Sequence, residues 1–196
     1  MTRLIALHHA AFAPLDRAAD WLLPTLSRGL FAAVLWMYFW ASALTKLGDG
    51  AGGLFNPSAG AYAQIFPRAM EAAGYDAGQL TPFHTLVVLA GTWAELLLPL
   101  LIVLGLLTRL AALGMIGFIL VQSLTDLFGH GAIAEAATLG AWFDKVPHAP
   151  ILDQRALWLS LLLILVVKGA GPLSLDRWLA LRNVTSARPG GPPRSR

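Results

Sequence analysis

One carboxylate stands in the middle of a long apolar stretch, because Glu95 is the only charged residue between about residues 83 and 107. An ionised carboxylate at the centre of a bilayer costs at least about 2.5–3.5 kcal/mol, and such groups face a protein interior or a water-filled cavity. We expect Glu95 to face inward and to be either protonated or paired, since burial disfavours its charged form. Two roles stay open: an acid that handles protons or anchors a ligand, and a structural acid that fixes helix register.

Residues at the same depth as Glu95 are its candidate partners. Tyr38 and Ser42 lie in the first apolar stretch of the chain, and Gln122 lies in the third. Each carries a group that can hydrogen-bond a carboxylate or a ligand. The functional interpretation therefore makes Glu95 the catalytic residue and gives Tyr38 and Gln122 ligand contacts.

A second group of polar residues is predicted at one end of the helices. Gln122, Asp126 and His130 follow one another at four-residue intervals, so they share a face of a helix. Lys46 ends one apolar stretch and His84 begins another at the same level. Imidazole and carboxylate groups would suit a metal ion. However, no HxxxH or HxH spacing holds two imidazoles together, so we favour ordinary helix-end anchors and predict no metal site.

The elements that carry these residues are predicted from composition. Of the 196 residues, 57% are apolar and 13% are charged, and the mean hydropathy is +0.64. Water-soluble domains have roughly 45–50% apolar and about 25% charged residues. A membrane-spanning helix needs about 20 mostly apolar residues, and four stretches qualify. They cover approximately residues 26–44, 83–107, 110–128 and 152–170.

The fold class predicted is all-α: an integral membrane four-helix bundle with short interfacial helices at both ends. A tight turn at Thr108 and Arg109 makes the second and third helices an antiparallel hairpin. The first long loop, 47–81, is expected to form short helices around 59–73 that are interrupted at Pro67. The domains predicted are residues 1–25, an N-terminal segment with an interfacial helix; 26–182, the transmembrane domain; and 183–196, a disordered tail. Ser174 is expected to cap the C-terminal interfacial helix.

The distribution of basic residues predicts the orientation of the bundle. Ten Lys and Arg residues lie on the side of both termini, and four lie on the other side: Lys46, Arg68, Lys145 and Arg155. Basic residues accumulate in cytoplasmic flanks, so both termini are predicted in the cytoplasm and both long loops outside. The net charge of +3 therefore indicates membrane orientation rather than a nucleic-acid surface.

Several classes of chemistry are excluded by the residues present. The chain has no cysteine, which removes disulfides, thiolate metal sites and thiol nucleophiles within it. It has no Walker loop, GxSxG, HExxH or dinucleotide glycine pattern. Arg28 and Arg109 lie near the cytoplasmic interface; they either reach lipid phosphates or pair with Asp176 or a partner subunit.

The chain resembles the DoxX family of small bacterial four-helix membrane proteins. The resemblance covers about residues 28–182 and depends on Arg28 before the first span, Lys46 at its end, Ala94-Glu95-Leu96, the segment 105–112 and the segment 168–176. It makes Arg28, Lys46, Glu95 and Arg109 candidate functional positions. It also implies the bacterial inner membrane as the location.

The resemblance implies several roles. Related proteins are subunits of a thiosulfate:quinone oxidoreductase, and others are membrane partners of a superoxide dismutase and a sulfurtransferase. The leading hypothesis is therefore a membrane subunit or anchor of a redox or oxidative-stress assembly, with a quinone beside Glu95. The alternatives are a non-enzymatic binding or carrier protein for a small solute, lipid or metal, and a structural anchor that recruits partner proteins.

Overall fold

The computed structural model describes residues 2–186, and within that range it is built from helices without a strand. The helices are numbered in chain order. They are α1 (Thr2–Phe31), α2 (Met37–Lys46), α3 (Ala59–Ile65), α4 (Pro67–Ala72), α5 (Pro82–Leu104), α6 (Thr108–Leu124), α7 (Ala136–Leu139), α8 (Arg155–Lys168) and α9 (Leu175–Ser186). Short π-helical and 3₁₀ turns join or extend them.

Four of these helical segments are long and apolar enough to cross a bilayer. They are Thr2–Lys46, Pro82–Leu104, Thr108–Gly129 and Pro150–Lys168. The prediction of an all-α membrane bundle is confirmed, and the outer faces of the spans contact lipid. The central core consists of side chains that all four spans contribute, among them Phe31, Phe39, Ile102, Met115 and Leu162.

The first span contains a π-helical turn, Ala32–Trp36, between α1 and α2. The buried residues around it are spaced four apart, at Phe31, Leu35, Phe39 and Ala43. In a regular α-helix each step of four residues rotates about 40° beyond a full turn, so the buried stripe would leave the core. The wider π turn compensates for this rotation and keeps the stripe facing inward.

The two central spans form the predicted antiparallel hairpin. The structure corrects the position of its turn, which lies at 105–107, because Thr108 already begins α6. Gly105 and Leu107 both have positive φ, 68° and 50°. The backbone N–H of Gly105 bonds the carbonyl of Ile102, and that of Leu106 bonds the carbonyl of Leu101. This left-handed ending closes α5 within three residues.

The first long loop folds onto the bundle as the short helices predicted for it. Proline at position 67 separates α3 from α4 and begins α4. Ala61, Tyr62 and Met70 pack with Val88 of α5 as a small second core. The loop therefore covers the end of the bundle where α2 ends and α5 begins.

At the N-terminal end of the chain, α1 runs without a break from Thr2 into the first span. At the other end Ser174 does cap α9, since its hydroxyl accepts from the backbone N–H of Arg177 at 3.2 Å. That helix runs through residues 183–186, beyond the predicted limit at 182. The rest of the predicted tail, 187–196, lies outside the described residues.

Candidate functional site

Glu95 is buried in the bundle and forms an ion pair with Lys46. The side chains are 3% and 6% exposed, and Lys46 Nζ donates to Glu95 Oε2 at 2.8 Å and to Oε1 at 3.1 Å. Glu95 is thus both inward-facing and paired, as the sequence required. Lys46 does not lie in an outer group with His84; its side chain reaches back from the end of α2 to the middle of α5.

Ser42 completes the pair. Its hydroxyl donates to Glu95 Oε1 at 3.2 Å and accepts from Lys46 Nζ at 2.7 Å. Ser42 and Lys46 are four residues apart and therefore share one face of α2. Four hydrogen bonds therefore join the three side chains and satisfy a charge pair that would otherwise be costly in an apolar interior.

A cavity of about 450 Å³ extends from this ion pair between α5 and α6. Its lining includes five small residues of these two helices. They are Ala90, Gly91 and Ala94 of α5 with Gly114 and Gly117 of α6. A Cβ built on Gly117 meets no atom within 4 Å, so this glycine faces open space.

The cavity has polar groups near both ends and apolar walls between them. Ser42, Lys46 and Glu95 form one end, and Gln64, Asp126 and His130 the other. Gln122 lies along the wall, where its Nε2 donates to the Tyr38 hydroxyl at 3.4 Å. Its Oε1 is buried and has no hydrogen-bond partner in the part of the chain that the structure describes. Because that oxygen has almost no accessible surface, it is not presented to the cavity.

Tyr38 and Gln122 do not contact Glu95, although both were predicted beside it. They bond each other, and Tyr38 packs on the ring of Trp158 at 5.3 Å between centroids. Of the two, Gln122 lines the cavity. The structure thus places Gln122 at the cavity wall and Tyr38 outside the cavity, where its hydroxyl accepts from the Gln122 amide.

A second ion pair lies at the end of the cavity that Gln64, Asp126 and His130 form. The guanidinium of Arg155, which is 6% exposed, donates to Asp126 Oδ2 and to the Ser123 hydroxyl. This pair joins α8 to the third span. This pair was missed from the sequence because Arg155 was used only to predict the orientation. Asp126 lies at the end of the third span and Arg155 at the start of the fourth, and these two ends are neighbours when consecutive spans are antiparallel.

The histidines near this end do not come together. His130 bonds the carbonyl of Gln64 at 2.9 Å, and His84 bonds the hydroxyl of Thr81 at 2.8 Å. Across residues 2–186, the structure brings together no group of three His, Asp or Glu side chains that could hold a metal ion.

Arg28 holds the opposite end of the bundle together. Its guanidinium donates to the carbonyls of Ile102 and Val103 at the end of α5, and to those of Ala170 and Leu173 after α8. Four of its five N–H groups are therefore occupied by backbone. This arrangement gives Arg28 a structural role that explains its position in the sequence pattern.

Asp176 fixes the turn of the central hairpin beside Arg28. Its carboxylate accepts from the backbone N–H of Leu107 at 2.7 Å and of Thr108 at 3.0 Å, and so caps α6. A Cβ on Gly105 would lie 2.8 Å from Arg28 Cζ, so glycine is needed where the guanidinium passes. The segments 105–112 and 168–176 therefore meet around the Arg28 guanidinium, and we call this set of contacts the clamp.

Arg109 lies at the surface near this clamp. Its guanidinium donates to the carbonyl of Val167 at 3.2 Å. The neighbouring Lys168 pairs with Asp20 at 2.8 Å, and both side chains are exposed. Neither Arg28 nor Arg109 lines the cavity described above, so the structure separates these two predicted ligand-binding residues from Lys46 and Glu95.

The fold and this interior define a polytopic membrane protein with a cavity that ends on a buried charge pair. The family model for DoxX matches residues 29–130, just over half of the chain. The chain belongs to the DoxX family. The match contains Lys46, Glu95 and Gln122; it begins after Arg28 and ends before Arg155. No curated protein and no solved structure matches the chain.

Proposed function

We propose that this DoxX family protein is the membrane subunit of a redox or oxidative-stress assembly and binds a quinone-type ligand beside Glu95. The observation that carries the proposal is the cavity of about 450 Å³ that ends on the Lys46–Glu95 pair. Sites for small organic ligands have volumes of roughly 300–1,000 Å³, apolar walls and a few placed polar groups. The cavity has this size and this distribution of polarity.

The polar side chains of the cavity are the groups that a quinone ring would meet. At the inner end, Lys46 already donates to both carboxylate oxygens of Glu95 and to the Ser42 hydroxyl, so a ring oxygen would have to replace one of those acceptors. Along the wall, the Gln122 side chain lines the cavity. The small residues between them, such as Gly91 and Gly117, leave room for a flat apolar ring.

The ion pair also supplies proton chemistry. Conversion of a quinone to a quinol takes two electrons and two protons, and a carboxylate within reach of a ring oxygen can exchange one of those protons. Glu95 is the residue assigned to that exchange, and Lys46 holds its carboxylate in position. The two electrons and the second proton are exchanged with a partner redox protein.

The location proposed for this site is the bacterial inner membrane, with both termini in the cytoplasm. Residues 26–182 form the membrane domain in this proposal. Four spans put both ends on one membrane side, and the excess of Lys and Arg on that side supports the cytoplasmic assignment. The redox or stress-response partners would then meet the protein from either side of that membrane.

A second candidate function is non-enzymatic binding or carriage of a small solute. The polar outer end of the cavity, with Gln64, Asp126 and His130, favours this alternative. A polar solute would enter there and reach the buried pair without any electron transfer.

The experiment compares two glycine variants of the purified protein in lipid nanodiscs. Gly117→Leu fills the cavity, whereas Gly29→Leu adds the same side chain at an exposed position where a Cβ also meets no atom within 4 Å. The probe is a benzoquinone without an isoprenoid tail, measured by calorimetry. We expect wild type and Gly29→Leu to bind it and Gly117→Leu to lose at least about tenfold in affinity. Absence of binding to wild type, or equal binding by all three proteins, would reject the proposal.

A further inference from the structure

A groove of about 530 Å³ lies on the outside of the bundle, between α4 and the end of the third span. On one side it is lined by residues 65–69, which end α3 and begin α4. On the other side it is lined by residues of the third span between 121 and 129. Because that span ends at Gly129, the groove begins at the surface of the bilayer and runs into it.

The third-span side of the groove faces the hydrocarbon of the bilayer. Val121, Leu124 and Phe128 line it, and they are 62%, 54% and 53% exposed. They follow at three- and four-residue intervals, so they share one face of a membrane-spanning segment. From Phe128 to Val121 the helix axis advances about 10 Å. One leaflet contributes about 15 Å of hydrocarbon, so the groove follows the upper part of a single acyl chain.

One basic side chain, Arg68 of α4, lines this apolar groove and is exposed. Within residues 2–186 its guanidinium forms no hydrogen bond or ion pair, and even Glu71, one turn further along α4, does not pair with it. All five N–H groups are therefore free for an acceptor from outside the chain. Lys46 and Arg155, by contrast, are buried and have carboxylate partners.

A free guanidinium beside an apolar groove at the membrane surface has the chemistry that recognises a phospholipid. A guanidinium binds two phosphate oxygens at once through parallel N–H donors. The phosphate of a phospholipid lies at the membrane surface and its acyl chains run inward, which is the order of Arg68 and the apolar residues here. A free phosphate would leave the groove empty, and an apolar helix would leave the guanidinium without an acceptor.

We propose that the groove binds one phospholipid from the leaflet on the side of the long loops, with its phosphate on Arg68 and an acyl chain against Val121, Leu124 and Phe128. The lipid contacts both α4 and the third span, so it holds the short helices of the first long loop against the bundle. The acyl chain moves from one apolar medium to another, so the phosphate supplies most of the affinity and the groove supplies the fit. Binding here does not depend on which ligand occupies the cavity.

The test titrates the delipidated protein in detergent with phosphatidylglycerol and counts bound lipids by native mass spectrometry. Arg68→Gln removes the cation from the groove. Its control, Lys145→Gln, removes a cation from an exposed residue that lies outside the groove on the same side of the membrane. Leu124→Trp fills the groove. Its control, Leu120→Trp, adds the same ring one turn away, at a leucine that is 50% exposed and lies outside the groove.

Wild type and both controls are expected to retain one phosphatidylglycerol, and Arg68→Gln and Leu124→Trp to bind it at least about tenfold more weakly. A ligand that binds the folded state stabilises it, so added phosphatidylglycerol should raise the melting temperature of wild type more than that of Arg68→Gln. Melting curves without added lipid report that each variant is folded. If Leu124→Trp does not fold, Ala69→Trp, which narrows the groove from α4, replaces it as the deciding variant.

Three results would overturn the proposal. Equal retention of the lipid by Arg68→Gln and Lys145→Gln would show that the guanidinium does not hold the phosphate. Equal retention by Leu124→Trp and Leu120→Trp, or displacement of the lipid by an equal concentration of glycerol 3-phosphate, would show that the acyl chain does not occupy the groove. A dimer of wild type that Leu124→Trp loses would assign the groove to a second copy of the chain instead.

Discussion

Replacing Lys46 by methionine should destabilise the bundle strongly, because Glu95 would keep its place without a counter-ion. Removing one partner of a buried pair costs about 3–5 kcal/mol. For a chain of this length each kcal/mol lowers the melting temperature by about 2–4 °C. The expected loss is therefore about 6–20 °C, measured by intrinsic fluorescence during heating, for which the seven tryptophans are suited.

The chain contains a matched control for this change. Lys168 pairs with Asp20 at the same N–O distance, 2.8 Å, but its side chain is 36% exposed and that of Asp20 is 83% exposed. Lys168→Met should leave the melting temperature nearly unchanged, because water and salt screen an exposed pair.

A double variant tests whether the loss of stability in Lys46→Met comes from the unpaired charge of Glu95. Lys46→Met combined with Glu95→Met replaces the pair by apolar side chains of similar size, which is often neutral for stability. The double variant should melt well above Lys46→Met alone. The reasoning is refuted if Lys46→Met costs no more than Lys168→Met, or if the double variant is no more stable than the single one.

Two further predictions concern the turn and the topology. Gly105→Ala should lower the melting temperature more than Gly74→Ala does. Both residues have positive φ, which costs about 1–2 kcal/mol for alanine, but only at Gly105 would a Cβ also lie 2.6 Å from Ser174 Cβ. Equal losses in the two variants would show that the packing around Gly105 is loose. A reporter fused after Arg182 should be active in the cytoplasm, and one inserted near Gly52 should be active outside; reversed signals would overturn the proposed orientation.

The spans and the burial of Glu95 were predictable from the sequence because each depends on local composition. A bilayer requires a long apolar stretch for every span, and an isolated carboxylate inside one has to face protein. The neighbour Ser42 was also predictable, since counting residues from the membrane surface places it near the depth of Glu95.

The partner of Glu95 was harder to predict. Counting residues along a helix gives the depth of a side chain in the membrane only if the helix is not tilted. Lys46 ends its span, so it was assigned to the outer surface. In the structure the Trp40 indole bonds the Leu96 carbonyl at 3.0 Å, which places α2 beside the middle of α5. The Lys46 side chain then reaches Glu95. This crossing depends on packing between distant segments, and no local pattern encodes it.

The role of Arg28 was not predictable for a different reason. Its partners are backbone carbonyls of four residues, and carbonyls are present at every position of a sequence. The glycine at 105 and the carboxylate of Asp176 could be noted as a motif, but their meeting around one guanidinium requires the folded chain.

The clamp at Arg28 also sets an order for the biogenesis of the bundle. Arg28 enters the membrane with the first span, while Ala170 and Leu173, which accept its hydrogen bonds, follow 142 and 145 residues later. Until those two residues have been synthesised, the guanidinium lacks two of the four backbone carbonyls that accept its hydrogen bonds in the folded chain. The segment after α8 can therefore close around the first span only after all four described spans have been made.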